Sequence, residues 1–203
     1  MIIGVLREPA FESRVSLLAE AVTALVKKKI EVWVEAGAGM SAYCGDDDYS
    51  KAGAHIRSRE EVLGGADILL SIHYNEIPAT IQHKVLIGVY QPLYHHAHLP
   101  IWAKQDITSF SLDMLPRTTR AQSMDVLSSQ ANIAGYKAIL LAAGLSPHYF
   151  PMMMTAAGSI APAKALILGA GVAGLQATAT ARRLGAVVEV FDTRPAVKEE
   201  VMS

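Results

Sequence analysis

A glycine-rich turn near residue 170 is the feature that most constrains how this 203-residue chain can fold. It reads Gly169-Ala170-Gly171-Val172-Ala173-Gly174, and it follows an apolar strand predicted at Lys164–Leu168. Gly169 permits a tight turn from strand to helix, Gly171 lets the backbone approach a phosphate group, and Gly174 lets the next helix pack closely on the strand. The exposed N–H groups and the positive end of that helix favour an anion. The segment therefore predicts a phosphate-binding turn of the Rossmann type.

An acidic residue, Asp192, ends the next predicted strand at Val187–Phe191 and lies 18 residues after Gly174. In dinucleotide-binding folds, an acid at about this spacing accepts hydrogen bonds from the adenosine ribose hydroxyls and repels a 2′-phosphate. We therefore expect NAD(H) rather than NADP(H) at a site formed by the glycine turn, its helix start at Val172 and Ala173, and the run Asp192-Thr193-Arg194. Arg194 argues against this preference. The alternative is a turn that merely packs a helix on a strand, with Asp192 as a solvated cap.

The rest of the chain alternates between strand and helix patterns, which predicts an α/β fold with a parallel sheet. We expect a flavodoxin-like or Rossmann-like N-terminal domain at 1–122, a linking helix at 123–145 and the first βαβ half of a Rossmann NAD-binding domain at 146–203. Pro195 is expected to begin a further helix. The strands predicted for the N-terminal domain are Ile2–Leu6, Ile30–Glu35, Ala66–Ile72, Lys84–Tyr90 and Thr108–Leu112.

Composition argues against several functional classes. With 18 Lys and Arg against 19 Asp and Glu, the chain has no basic field that would attract nucleic acid. A single cysteine, Cys44, cannot form an internal disulfide, and the N-terminus lacks the pattern of a signal peptide. No segment offers the roughly 20 uninterrupted apolar residues that span a bilayer. We expect a soluble chain in the cytoplasm.

Three longer segments resemble the NAD(H)-binding component, domain I, of the α subunit of proton-translocating NAD(P) transhydrogenase. They run from Met114 to Tyr136, from Phe150 to Gly158 and from Gly169 to Glu200. The resemblance is dense from about residue 112 onward and looser before it. It implies an Arg-Gln-Asp loop, here Arg117, Gln122 and Asp125, that holds the nicotinamide end of NAD(H), with Ser128 assisting. From residue types alone, the same positions also suit an ordinary polar helix start.

The resemblance further implies hydride transfer from NADH to NADP⁺, which is bound by a partner component, while a membrane-spanning subunit moves protons. It also implies a homodimer that sits on the cytoplasmic face of the inner or plasma membrane when in complex. An alternative is an alanine-dehydrogenase-like oxidoreductase, because Arg14 matches the setting of that enzyme's arginine. However, His73-Tyr74-Asn75-Glu76 stands where that enzyme has its lysine, and Gln91-Pro92 stands where its histidine belongs. The missing groups favour transhydrogenation, which needs no proton donor.

Only one βαβ unit begins before the chain ends at Ser203, whereas a dinucleotide fold needs two halves. We therefore expect a truncated Rossmann domain that is inactive on its own. A third alternative is a non-catalytic fragment that dimerises. The histidines in Tyr94-His95-His96-Ala97-His98 are expected to be solvated, without a metal.

Overall fold

The structure, a computed structural model, describes residues 1–73 and 76–202 and has the predicted α/β fold. The chain divides into two compact units, of which the first covers Met1–Met124 and the second begins at Asp125. No helix among the described residues is both long and apolar enough to cross a membrane.

Six parallel strands form the sheet of the first unit, in the order β3-β2-β1-β4-β5-β6. This is the strand order of a Rossmann dinucleotide fold, with its reversal of direction between β1 and β4. The strands are β1 (Ile2–Val5), β2 (Glu31–Glu35), β3 (His55–Arg57), β4 (Ile68–Leu70), β5 (Val85–Gly88) and β6 (Thr108–Ser111). The helices are α1 (Ala19–Lys27), α2 (Asp46–Lys51), α3 (Arg59–Gly65) and α4 (Leu99–Lys104).

Strand β3 is the element of this sheet that the sequence did not predict. It has three residues, all at least partly exposed, and it pairs with β2 at the edge of the sheet. A strand so short shows no alternation of apolar and polar residues. Without it the remaining five strands would follow the flavodoxin order, so this edge strand decides between the two folds that the sequence left open.

Two apolar clusters cover the two faces of this sheet. On one face, Val22 of α1 and Tyr49 of α2 pack with strand residues such as Val5 and Val34. On the other face, Val62 of α3 and Trp102 of α4 pack with Leu6, Leu69 and Leu86. Each fully buried Val or Leu contributes about 1.5–3 kcal/mol relative to exposure. The first unit is therefore a three-layer fold with a closed core.

The second unit begins with the long helix α5 (Val126–Leu145), followed by an antiparallel hairpin of β7 (Met153–Thr155) and β8 (Gly158–Ile160). Strand β9 (Lys164–Leu168), helix α6 (Val172–Arg183) and strand β10 (Val187–Phe191) then form a parallel βαβ unit, as predicted. Helix α7 (Val197–Met202) follows.

The helix predicted over Ser123–Leu145 begins three residues later, at Val126, and belongs to the second unit. Gln122–Met124 form a short 3₁₀ turn, and Asp125 is the N-cap of the helix. Ile139 of this helix shares an apolar cluster with Ala177 and Ala181 of α6. The close packing on α6 explains why α5 folds with the second unit.

Candidate functional site

The glycine turn lies between the end of β9 and the start of α6, where the sequence predicts it. Gly169 has φ +97°, a conformation that side chains with a Cβ rarely adopt. A Cβ added to Gly174 would lie 1.8 Å from the carbonyl oxygen of Gly169. Gly169 therefore makes the turn possible, and Gly174 lets the helix pack on it. Both roles match the prediction.

Gly171, the N-cap of α6, lines open space. Among the described residues, no atom lies within 4 Å of a Cβ built there. The first N–H groups of a helix have no acceptor within it, and α6 is 12 residues long, enough for the dipole at its N-terminus to matter. Val172 and Ala173 form this first turn, so the open space lies beside amide donors that suit an anion.

A cleft with a volume of about 310 Å³ adjoins the turn at the carboxyl ends of β9 and β10. In open α/β sheets, ligands bind outside the carboxyl ends of the strands. The cleft brings together four of the predicted cofactor-binding residues. Its lining consists of Leu168, Gly169, Phe191, Asp192, Thr193 and Arg194.

Asp192 is held in place by hydrogen bonds at both oxygens. Its Oδ2 accepts the N–H of Ala170 at 2.8 Å and Arg194 Nη2–H at 3.0 Å, while Oδ1 accepts the N–H of Arg194 at 2.8 Å. The Arg194 guanidinium, together with these amides, holds the pKa of Asp192 well below its usual range. The carboxylate is therefore ionised and fixed beside the glycine turn, as an acceptor for ribose hydroxyls must be.

Of the residues predicted near the nicotinamide, the structure brings Asp125 and Ser128 into contact. Asp125 Oδ1 accepts the N–H of Ser128 at 3.0 Å, and Oδ2 accepts the Ser128 hydroxyl at 2.6 Å. This is a helix N-cap, the ordinary reading of these residue types. Arg117 and Gln122 are exposed and belong to the first unit. The role of all four toward a nicotinamide stays a prediction.

The sequence patterns did not point to Glu8, a buried carboxylate between β1 and β4. Its two oxygens accept the N–H groups of Ile72 at 2.6 Å and His73 at 3.0 Å. Burial raises the pKa of Glu8, and the two backbone bonds oppose that effect. Its place three residues after a predicted central strand was the signal that could have found it.

Glu12 was not predicted either, and it holds Arg14, the residue that matches the arginine of alanine dehydrogenases. Arg14 donates from Nε at 2.8 Å and from Nη2 at 2.6 Å, and His73 Nε2 lies 2.8 Å from Glu12 Oε2. The hydrogen bond from Arg14 lowers the pKa of Glu12 from 4.5 to about 2. Tyr74 and Asn75, which stand where alanine dehydrogenases have their lysine, lie outside the described residues.

The histidine cluster does not form a metal centre in the part of the chain that the structure describes, because no group of three His, Cys, Asp or Glu side chains there could hold an ion. His96–His98 form a 3₁₀ turn before α4, and His98 lies beside Trp102, with 6.3 Å between the ring centroids.

Two family models match almost the whole chain. Residues 4–134 match the N-terminal domain of the alanine dehydrogenase/PNT family, and residues 138–203 match its C-terminal domain. These two matches together cover both units.

Known proteins of two kinds are similar to the chain. An NAD(P) transhydrogenase alpha-subunit protein of Rickettsia prowazekii is 41% identical over 203 residues, which cover 95% of this chain and 52% of that protein. The crystal structure of a transhydrogenase from Sinorhizobium meliloti has a TM-score of 0.93 and 43% identity, covering 100% of this chain and 62% of that one. Alanine dehydrogenase of Staphylococcus epidermidis is 28% identical, over 94% of this chain and 52% of the enzyme. The chain thus spans about half the length of these curated relatives.

Proposed function

The chain belongs to the alanine dehydrogenase/PNT family, and we propose that it is the NAD(H)-binding component of a proton-translocating NAD(P) transhydrogenase. The observation that carries this proposal is the open glycine turn with Asp192 fixed beside it. Free amide donors fit a pyrophosphate, and the carboxylate fits the adenosine ribose hydroxyls. The relatives named as transhydrogenase alpha subunits support the same assignment.

Each residue of the turn has a distinct task in this proposal. Gly169, Gly171 and Gly174 shape the backbone, and the N–H groups of Val172 and Ala173 donate to the pyrophosphate. Asp192 accepts from the ribose, while Thr193 and Arg194 line the cleft. A 2′-phosphate would meet the ionised Asp192, so the chain binds NAD(H) and the partner component binds NADP(H).

Arg117, Gln122, Asp125 and Ser128 orient the nicotinamide end. The amide of Gln122 donates to and accepts from a carboxamide, and the charged groups bind polar atoms of the ligand. The bound cofactor supplies a hydride for an acceptor. The chain's own residues contribute position and the exclusion of water rather than a proton donor, because hydride transfer between two nicotinamides needs only close, oriented rings.

The partners follow from the assignment. We propose a homodimer that docks with the NADP(H)-binding component and with a membrane-spanning subunit, at the cytoplasmic face of the membrane. Alone, the chain binds NADH and turns nothing over, because the acceptor lies on the partner.

An alanine-dehydrogenase-like activity is the second candidate, and Arg14 is the observation that favours it. Its side chain is 46% exposed at the carboxyl edge of the first sheet. However, a substrate carboxylate would compete with Glu12, which already binds the guanidinium at two nitrogens.

Hydride transfer in a reconstituted mixture tests the proposal. NADH and an NADP⁺ analogue whose reduced form absorbs at a separate wavelength are added to the chain, with and without the NADP(H)-binding component of a family transhydrogenase. We expect analogue reduction only when both proteins are present. Turnover with pyruvate and ammonia instead would contradict the proposal, and no turnover in either assay would favour a non-catalytic fragment that dimerises.

A further inference from the structure

Helices α5 and α6 of the second unit approach each other closely at Gly135. A Cβ added to Gly135 would lie 2.1 Å from the carbonyl oxygen of Ala173 and 3.0 Å from its Cα. The obstacle is backbone, which cannot swing aside as a flexible side chain can. Any larger residue at position 135 therefore has to displace one helix from the other.

The contact falls on the first turn of α6, the turn whose amides form the candidate anion site. Ala173 is the second residue of that helix. A second contact reinforces the crossing, because Asn132 Nδ2 donates to Gln176 Oε1 at 3.1 Å. Gln176 Nε2 in turn donates to Thr180 Oγ1 at 3.1 Å. The start of α6 is therefore held from outside by α5 as well as by the strands beneath it.

Helix α5 also carries Asp125 and Ser128 at its N-terminus. At 1.5 Å per residue, these residues lie about 15 Å and about 10 Å along the helix axis from Gly135. The hydrogen bonds of Asp125 to Ser128 fix that end of the helix. One helix thus connects the glycine turn with the residues proposed to orient the nicotinamide.

We propose that Gly135 is a positioning residue for NAD(H), which sets the spacing between the amide donors of the glycine turn and the pair Asp125 and Ser128. This inference rests on the proposed function. Gly135 touches the carbonyl of Ala173 and acts on the ligand only through the two helices. A dinucleotide has to reach the glycine turn and the N-terminus of α5 at once, whereas a ligand that lacks the nicotinamide needs only the glycine turn.

The substitution Gly135→Ala tests this, with Gly144→Ala as the matched control. Gly144 lies on the same helix, and no described atom approaches within 4 Å of a Cβ built there. Affinities for NADH and for ADP-ribose, which lacks the nicotinamide, are measured by titration calorimetry. We expect Gly135→Ala to weaken NADH about tenfold and ADP-ribose no more than about threefold, because a displacement of about 1 Å costs most where both ends must fit. Gly144→Ala should leave both affinities unchanged.

Asn132→Ala provides a milder variant if Gly135→Ala does not fold. It removes the bond to Gln176 without a clash, and we expect NADH to weaken by about twofold to threefold, with ADP-ribose unchanged. Equal losses for the two ligands in the variant that folds would show a merely structural role and would overturn the inference alone. A wild-type chain that binds ADP-ribose but gains nothing from the nicotinamide would also overturn it. Failure of the wild type to bind either ligand would instead contradict the proposed function.

Discussion

The carboxyl edges of the two parallel sheets differ in how their backbone donors are used. In the first unit, side chains of the chain itself occupy them, because Glu8 accepts the N–H groups of Ile72 and His73. Glu35 similarly accepts the N–H of Arg7 at 2.8 Å and binds Arg59 at 2.9 Å. In the second unit, Asp192 takes the N–H of Ala170, but the space at Gly171 stays open among the described residues.

The difference teaches that one α/β plan can serve as scaffold or as binding site. Where carboxylates satisfy the amides at the edge, the loops are tied together and no anion is needed. Where glycines keep the edge open, amide donors and a helix dipole await an anion from outside. Four changes to the chain or its solvent test this contrast.

Gly174→Ala should have the largest effect, because its Cβ would meet the carbonyl oxygen of Gly169 at 1.8 Å. Relieving such a backbone clash costs about 3 kcal/mol of unfolding free energy. We also expect NADH binding to be lost. Gly64→Ala in the first unit is the control, since no described atom lies within 4 Å of a Cβ there. Thermal unfolding and calorimetry measure both effects, and a Gly174→Ala chain that binds NADH normally would break the contrast.

Acid should weaken the first unit through Glu12. Arg14 lowers its pKa in the folded state from 4.5 to about 2, so its stabilising contribution is complete above pH 4.5 and is lost as the pH falls toward 2. Because solvent screens the half-exposed Arg14, we expect about 1–2 kcal/mol. Denaturant titrations at a series of pH values measure it. The Glu12→Gln variant should remove that part of the pH dependence, and an unchanged profile would refute the assignment.

Asp192→Asn should change the ligand preference of the second unit. Loss of the charge removes the repulsion of a 2′-phosphate and leaves Arg194 without its carboxylate partner. We expect NADH affinity to fall about tenfold, or about 1.4 kcal/mol, with NADPH affected less. Competition titrations with the two nucleotides measure the ratio. Equal loss of both would mean that Asp192 only supports the turn.

Asp125 offers the smallest expected change in stability and separates two roles. Asp125→Ala removes the N-cap of α5 and should cost about 1 kcal/mol, whereas Asp125→Asn keeps a good cap and should cost little. If Asp125 also orients the nicotinamide, both variants should slow hydride transfer in the reconstituted mixture. Normal transfer by the Asn variant would leave the residue with its capping role only.

Much of the second unit could be predicted because its signals are local. The turn from Gly169 to Gly174 needs glycine for reasons of backbone geometry, and the apolar strands on either side of α6 are five residues long. Edge strand β3 could not be predicted, because three exposed residues carry no periodicity and form a strand only by pairing with β2.

The carboxylates of the first unit escaped prediction for a different reason. Glu8 meets the amides of Ile72 and His73 more than 60 residues away, so its partners depend on the order of β1 and β4 in the sheet. The close approach of Gly135 to Ala173 is of the same kind. Such contacts follow from tertiary packing and have no signature at a fixed spacing in the sequence.

Titration calorimetry of the 203-residue chain with NADH and with NADPH tests the central claim most directly, because it asks whether the open turn of the second unit binds a dinucleotide and which one. We predict saturable binding of NADH that is tighter than that of NADPH, since Asp192 is ionised beside the turn. Tighter binding of NADPH, or no binding of either nucleotide, would contradict the account.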